Sequence, residues 1–326
     1  STPFFLHALD ARLNGPVLTD IAKARIRHAA HRGVSYLFTA YYIPTACTLT
    51  NAATQFKYCH HLGIELPASI LPTPPLRHCL DKCNFYPPSK PYPPDHFFTI
   101  HITHGYHPLT CRVTGSRNNK HNALVKQASR TADHLHPGSS SWKNERLSTS
   151  TFTGTIADLV IEDISLSPPI TTLDFTISCP LLPSYVNAAA ISSDSLFTVR
   201  TAEKNTKHLN GCIALGRHFL PVVFSSLGGI GPPDSIQYID RLFAEAYAIE
   251  RRLGGSGSDT HHQRTIFYQT LQAILATKST IMIQNLTRYE PPETHGGTPL
   301  PPPISPLTHT TTPHNHAAIS TQPQQP

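Results

Sequence analysis

Two aspartates near the starts of two apolar, strand-like runs are the residues best placed to do chemistry. Asp158 lies in Ile-Ala-Asp-Leu-Val-Ile and Asp174 lies in Thr-Leu-Asp-Phe-Thr-Ile, with a turn-like Ser-Leu-Ser-Pro-Pro link between the runs. This pattern predicts a β-hairpin, in which antiparallel pairing brings the two acids toward one site. Mg²⁺ and Mn²⁺ prefer oxygen ligands, and Mg²⁺ usually takes one or two protein carboxylates. We therefore expect Asp158 and Asp174 to bind such an ion; the alternative is a pair of turn or cap residues.

A helix predicted over residues 198–215 follows the second run and carries two lysines. Lys204 and Lys207 are three residues apart, so they share one face of that helix. A lysine beside a metal site can offset charge that develops in a transition state. An ordinary solvated helix face is the competing interpretation.

Further elements are predicted downstream. Residues 217–224 form an apolar run typical of a buried strand, and apolar residues at helical spacing predict a helix over 234–253. The Gly/Pro-rich segment between them lacks the Lys-Ser/Thr of a phosphate-binding loop, so we interpret it as a strand-to-helix turn. A last helix is predicted over residues 260–286.

The order of these features resembles the carboxy-terminal region of non-LTR retrotransposon proteins. In that family the region is a restriction-endonuclease-like domain of the PD-(D/E)xK type, placed after the reverse transcriptase. The resemblance covers roughly residues 35–285 and rests on the following segments: His121-Asn122-Ala123-Leu124, Ala157-Asp158-Leu159, 173–180, Ser184-Tyr185, 203–207, 219–223 and 228–231.

The resemblance implies catalytic roles for particular residues. The two aspartates match the acids that hold the metal in the family. The family's lysine lies on the following helix instead of two residues past the second acid, where this chain has Thr176. Lys207 is the best match to that lysine and Lys204 is the second. An additional upstream acid is often present, and Glu145 is the candidate here.

A second group of residues could form a closed zinc site ahead of the nuclease region. The thiols of Cys79, Cys83 and Cys111 with the imidazole of His107 would supply four ligands for structural Zn²⁺. The second half of this group resembles the family's zinc knuckle, whereas the first half has a longer gap between its cysteines. His104 is the second choice for the histidine, and a histidine-rich loop without zinc is the alternative interpretation.

Basic residues cluster between the predicted knuckle and the strands. Such a patch would contact phosphates without sequence readout, and a solvated helix face is the alternative. The expected nucleic-acid contacts are Arg112, Arg117, Lys120, His121, Lys126 and Arg130.

Composition sets limits on the class of protein. Only 14% of residues are charged, and the net charge of +6 is compatible with binding a polyanion but does not require it. Seven cysteines, an odd number spread through 326 residues, do not suggest a disulfide framework. No apolar run is long enough to span a bilayer, and no signal peptide is recognised. We expect a soluble, intracellular and nuclear protein without membrane partner or small-molecule cofactor.

The predicted organisation has four parts. Helices are expected over 17–32 and from Thr50 or Asn51 to Gly63, and another over 118–136 opens the nuclease region. The expected fold is α/β, a restriction-endonuclease-like core with a mixed sheet flanked by helices, a small zinc-knuckle module and a disordered tail. The parts are a helical linker region (1–75), a zinc knuckle (76–117), the restriction-endonuclease-like domain (118–288) and a Pro/Thr/His-rich tail (289–326).

Two functions are compatible with the sequence. The first is a Mg²⁺- or Mn²⁺-dependent DNA endonuclease, which is a phosphodiester hydrolase. It would belong to a retrotransposon and nick target DNA to prime reverse transcription. Its expected partners are DNA and, secondarily, retroelement RNA, and it would also bind a structural Zn²⁺ ion. The second is a non-catalytic nucleic-acid-binding remnant of a decayed element. The chain lacks a Tyr/Phe-x-Asp-Asp pair, so no reverse transcriptase domain is expected in it, and we expect a fragment or a degenerate copy.

Overall fold

The structure is a computed structural model. It describes residues 15–16, 18–29, 31, 49–68, 70–71, 116–135, 140–149, 152–162, 169–182 and 184–286. All of the described residues belong to one compact unit. Within the described residues, none of the helices has the length and apolar character needed to cross a membrane.

The centre of the described fold is a mixed β-sheet. Its strands are adjacent in chain order, and the first three pair antiparallel, whereas the fourth runs parallel to the third. A two-residue fifth strand pairs antiparallel with the fourth. The strands are β1 (Ser140–Thr149), β2 (Phe152–Glu162), β3 (Ile170–Ser178), β4 (His218–Ser225) and β5 (Ile230–Gly231).

Helices precede, connect and follow these strands. The predicted α/β class with a mixed sheet and flanking helices is confirmed. The predicted helices are present, with the first shorter than expected. Their bounds are α1 (Asp20–Ala29), α2 (Asn51–Leu62), α3 (Ser116–Leu135), α4 (Val186–Ile191), α5 (Ser193–Ala214), α6 (Pro233–Arg252) and α7 (Ser258–Leu286).

The main hydrophobic core lies on one face of the sheet. Side chains from α3, α6 and α7 cover Leu173 and Phe175 of β3 and Leu220, Val222 and Phe224 of β4. The opposite face is covered by α5, whose Cys212 packs with Val160 and Phe219. Successive strand residues point to opposite faces. Asp174 and Thr176, which alternate with Leu173 and Phe175 along β3, therefore lie on the face toward α5.

The helix α5 connects β3 to β4 and makes their parallel pairing possible. Its start is capped by Ser192, whose hydroxyl accepts a hydrogen bond from the Asp194 N–H at 3.2 Å. Parallel strands need a crossover of this kind. The crossover places one long face of α5 along β3.

Pro221 occupies a strand position that normally disfavours proline. It lies beside Asp174 in the parallel β3–β4 ladder, and proline has no N–H to donate. Its carbonyl accepts a hydrogen bond from the Ser235 hydroxyl at 2.7 Å, and β5 pairs with Val223 and Phe224 of β4, beyond Pro221. β4 thus has an open edge at Pro221, where the missing N–H costs no ladder bond.

Candidate functional site: a buried carboxylate pair beside a helix

The two aspartates predicted from the sequence meet at one end of the β2–β3 ladder. The last paired residues of that ladder are Leu159 and Leu173. Asp158 precedes Leu159 and Asp174 follows Leu173, so the antiparallel strands bring both aspartates just beyond this last pair. Both side chains are buried, with Asp158 8% and Asp174 4% exposed, and the charge of Asp158 acts on the carboxyl group of Asp174. The hairpin therefore creates the predicted convergence of the two acids.

The ladder opens where the acids meet. Oδ2 of Asp158 accepts the backbone N–H of Phe175 at 2.6 Å, so a side chain takes the donor that strand pairing would otherwise use. This bond holds the Asp158 carboxylate between the two strands. A carboxylate with a charge-assisted bond of this length is fixed tightly in position.

Asp174 is electrostatically unfavourable as an anion. Burial and the neighbouring charge of Asp158 raise its pKa to about 6, although the ammonium of Lys204 opposes the shift. A neighbouring negative charge disfavours ionisation of a buried carboxyl group, whereas a bound cation favours it. The donor set therefore suits a divalent cation, whose charge would favour the ionised form of Asp174.

Lys204 makes the closest cationic contact with the pair. Its Nζ lies 2.6 Å from Oδ2 of Asp174, while the angle departs from hydrogen-bond geometry, so the contact is an ion pair. The Lys204 side chain is 19% exposed and that of Asp174 is 6% exposed. The shielding from water makes this ion pair stronger than one at the surface.

The contact belongs to a longer match between α5 and β3. Arg200, Lys204 and His208 follow each other at four-residue steps on α5, and Arg200 donates to Thr176 Oγ1 at 3.1 Å. Four helical residues rise about 6 Å and two strand residues about 6.6 Å. The basic face of α5 therefore stays in phase with the polar face of β3, on which Thr176 lies two residues from Asp174.

Arg200 is held by several partners at the outer end of this face. It also donates to the Tyr185 hydroxyl at 3.1 Å and pairs with Glu203, and its guanidinium lies 6.0 Å from the Tyr185 ring centre. Its side chain remains 17% exposed. A guanidinium fixed in this way could contact a phosphate that enters beside Lys204.

His208 closes the inner end of the same face. It is 3% exposed and packs against the Phe219 ring, with ring centres 5.6 Å apart. Burial, together with the charges of Lys204 and Lys207, lowers the pKa of His208 to about 4. The ring is therefore neutral at pH 7 and adds no charge next to the acids.

His121 joins the acid pair from α3. Its Nε2 lies 2.9 Å from Oδ2 of Asp158 and 3.1 Å from the Phe175 carbonyl oxygen. Burial lowers the pKa of His121, but the hydrogen bond and charge of Asp158, with Asn122 and the Phe175 carbonyl, outweigh burial and raise it overall. His121 thus contacts one of the two acids, and its phosphate-contacting role stays a prediction.

The two candidate lysines differ in position. Lys207 is exposed, and among the described residues no ion pair joins it to either aspartate. The structure therefore reverses the ranking predicted from the sequence, because Lys204 lies on the helix face turned to β3. The β1–β2 register pairs Glu145 with Ala157, next to the strand position opposite Asp158.

Most of the predicted basic patch does not surround the acids. Lys120 is 1% exposed, with its Nζ 3.4 Å from the Ser279 hydroxyl, so its prediction as a surface phosphate contact is wrong. Lys126 and Arg130 are exposed on α3, but helical geometry turns them about 140° and 180° away from His121. Arg117 lies in the first turn of α3, and Arg112 lies outside the described residues.

The predicted zinc ligands cannot be placed. Cys79, Cys83, His107 and Cys111 all lie outside the described residues. In the part of the chain that is described, no group of three or more His, Cys, Asp or Glu side chains is arranged to hold a metal ion. The carboxylate pair is a smaller donor set, of the size that Mg²⁺ commonly uses.

Sequence reasoning missed the roles of Thr176, Arg200 and His208 around the pair. A signal for them was present, because residues 172–178 alternate strictly as Thr-Leu-Asp-Phe-Thr-Ile-Ser. Such alternation predicts one polar and one apolar strand face. Together with the four-residue spacing of basic side chains on the next helix, it indicates which helix face meets the acids.

Comparison with known proteins gives no match: no family model and no curated protein is significantly similar to this chain.

Proposed function

We propose that this chain is a divalent-metal-dependent DNA endonuclease with a restriction-endonuclease-like core. The observation that carries the proposal is the placement of two buried carboxyl groups, Asp158 and Asp174, at the same end of the β2–β3 ladder, with Lys204 ion-paired to the second. The order of elements supports it as well: a helix, three antiparallel strands, a crossover helix and a strand parallel to the third. This succession of elements supports the proposed core, and it includes the strand β1, which the sequence did not predict.

The residues divide the chemistry among them. Asp158 and Asp174 would hold a Mg²⁺ or Mn²⁺ ion, which, when bound, would lower the pKa of a water and neutralise phosphate charge. Lys204 is placed beside Asp174 to stabilise negative charge on the phosphorane-like transition state. Arg200, four residues earlier on the same face, would orient a neighbouring phosphate.

A plasmid-nicking assay with purified full-length chain tests the proposal. The wild type should convert supercoiled plasmid to the open circular form in Mg²⁺ or Mn²⁺ and not in EDTA. Asp174→Ala should abolish nicking while DNA affinity at fixed salt stays within about twofold, because the carboxylate holds the ion and repels phosphate. Asp158→Asn should behave alike, since an amide is a poorer ligand for a hard cation.

The matched control is Asp194→Asn, on the same helix as Lys204. Asp194 lies in the first turn of α5 and its side chain is exposed. Its nicking rate should equal that of the wild type. A wild type that binds DNA but leaves the plasmid intact in both ions would overturn the proposal and favour the non-catalytic, nucleic-acid-binding alternative.

A further inference from the structure

His121 contacts the acid pair through a single ring nitrogen with two acceptors. Nε2 lies 2.9 Å from Oδ2 of Asp158 and 3.1 Å from the carbonyl oxygen of Phe175. A backbone carbonyl can only accept a hydrogen bond. For the contact with this carbonyl to be a hydrogen bond, Nε2 must carry the hydrogen.

This tautomer decides what His121 can do. A nitrogen that carries a hydrogen has no lone pair for a metal, so Nε2 is not a ligand. The other ring nitrogen, Nδ1, lies 3.3 Å from Asn122 Oδ1, beside its own helix. His121 therefore acts on the site through Asp158.

The contacts of Asp158 are concentrated on one oxygen. Oδ2 receives both the His121 Nε2–H and the Phe175 N–H, the latter at 2.6 Å. Because Oδ2 already accepts two hydrogen bonds, Oδ1 has the greater remaining capacity to bind a cation. The two donors come from α3 and β3, so they fix the carboxylate against rotation from both sides.

We propose that His121 is a positioning residue that fixes the Asp158 carboxylate so that Oδ1 is presented to a divalent cation. The inference rests on the proposed function of the acid pair. Groups that hydrogen-bond to metal ligands typically change metal affinity by about 10–100-fold when removed. His121 should have an effect of that size without touching the substrate.

Two substitutions separate this role from simple packing. His121→Ala removes the donor, whereas His121→Gln places a side-chain N–H close to the position of Nε2. Mn²⁺ affinity of the full-length chain, measured by isothermal titration calorimetry, should fall about 10–100-fold in His121→Ala and recover most of that loss in His121→Gln. Asn119→Ala, at an exposed position of the same helix, is the control and should bind Mn²⁺ as the wild type does.

Long-range ¹⁵N NMR of the metal-free protein provides a readout that does not depend on activity. It should show the His121 hydrogen on Nε2. A neutral ring with its hydrogen on Nδ1 alone would overturn the inference. So would a His121→Ala variant that melts at lower temperature but binds Mn²⁺ with unchanged affinity, since that is the result for a packing role.

The outcomes also separate this inference from the proposed function. If the wild type binds Mn²⁺ and nicks DNA while both His121 variants bind Mn²⁺ equally well, only the positioning role is overturned. If the wild type binds no Mn²⁺ and does not nick, the proposed function fails and the positioning role fails with it.

Discussion

At the scale of single residues, the site is defined by buried charge that is only partly balanced. Two carboxyl groups with exposures below 10% share one close ammonium, that of Lys204, and one imidazole, that of His121. Buried carboxylates normally lose their charge or find a cation. In the metal-free protein this imbalance should make stability depend on pH. It also predicts different effects of substituting Lys204, which pairs with Asp174, and Lys207, which is exposed.

The raised pKa of Asp174 predicts how the stability of the metal-free protein depends on pH. Its pKa is about 6 in the fold, against 3.8 for an unperturbed aspartate, because burial disfavours the anion. Between these values the folded chain holds a proton that the unfolded chain has released. The contribution is fully present below pH 3.8, and the free energy of unfolding falls as pH rises toward about 6.

Urea denaturation in EDTA over this pH range measures the effect, with Asp174→Asn as the comparison. His28 and His208 have pKa values lowered to about 4 by burial, so they act in the opposite direction over the same range. The difference between wild type and variant therefore isolates Asp174. Parallel stability curves for the two proteins would contradict the raised pKa.

Lys204 and Lys207 should have separable phenotypes. Lys204→Ala removes the cation 2.6 Å from Asp174 and should slow nicking about 100-fold or more, the scale for loss of one transition-state donor. Lys207→Ala, at an exposed position, should change the rate less than about threefold and mainly weaken DNA binding at low salt. Single-turnover nicking and binding at two salt concentrations measure both. The opposite pattern would return the catalytic role to Lys207.

At the scale of elements, the site depends on how α5 lies against the sheet. Phe197, 2% exposed, packs where β5 turns toward α6. A Cβ built on Gly231 would lie 2.6 Å from Phe197 Cγ, whereas one on Gly229 would lie 3.1 Å from the tip of the same ring. The absence of a side chain at Gly231 therefore allows α5 its close approach to β5.

Gly231→Ala should destabilise the fold by about 1–3 kcal/mol, the usual cost of overpacking. Gly229→Ala should cost less, because the ring tip can move further. Adding Phe197→Leu to Gly231→Ala should recover part of the loss, as a double-mutant cycle measured by chemical denaturation would show. Additive effects of the two substitutions would mean that the ring does not set this contact.

Sequence patterns predicted some elements well and others not at all. The helix α2 was predicted from its Thr50 cap and Gly63 stop, and the structure has both: Thr50 accepts the Ala53 N–H, and Gly63 has φ +71°. The strand β1 was not predicted, because Ser-Ser-Trp-Lys-Asn-Glu-Arg-Leu-Ser-Thr lacks an apolar alternation. Its position comes from pairing with β2.

The acid pair could be predicted because a hairpin is local, whereas the choice of lysine could not. Lys204 and Lys207 differ by about 60° around α5. That difference is settled by the rotation of α5 against β3, a tertiary property. His121 reaches Asp158 across 37 residues of sequence, and no local pattern indicates such a contact.

At the scale of the whole molecule, the segment predicted as a helical linker is part of the folded unit. Ala24 of α1 packs with Ala189 and Leu227, and Phe56 of α2 packs with Ile283 of α7. His61 also links α2 to the β4–β5 turn, with Nε2 2.9 Å from the Leu227 carbonyl oxygen. Both α2 and α3 are therefore anchored in the same unit.

This anchoring bears on the predicted zinc site, which lies between α2 and α3 in sequence. Ordering a segment whose ends are already fixed costs less entropy than ordering a free one. Four protein ligands leave no open position for water, so zinc bound by Cys79, Cys83, His107 and Cys111 should stabilise residues 71–114 and DNA docking without entering the chemistry. Chelation should weaken DNA binding while residual nicking still requires Mg²⁺.

Metal analysis of purified chains measures the prediction directly. The wild type should carry about one zinc ion per chain, the stoichiometry of a single four-ligand site, and Cys111→Ser should lower it toward zero. Cys59→Ser is the matched control, because Cys59 is a half-buried residue of α2 outside the predicted ligand set, and it should keep the full zinc content. A wild type without zinc would mean that the cysteines and histidines ahead of α3 form no zinc site.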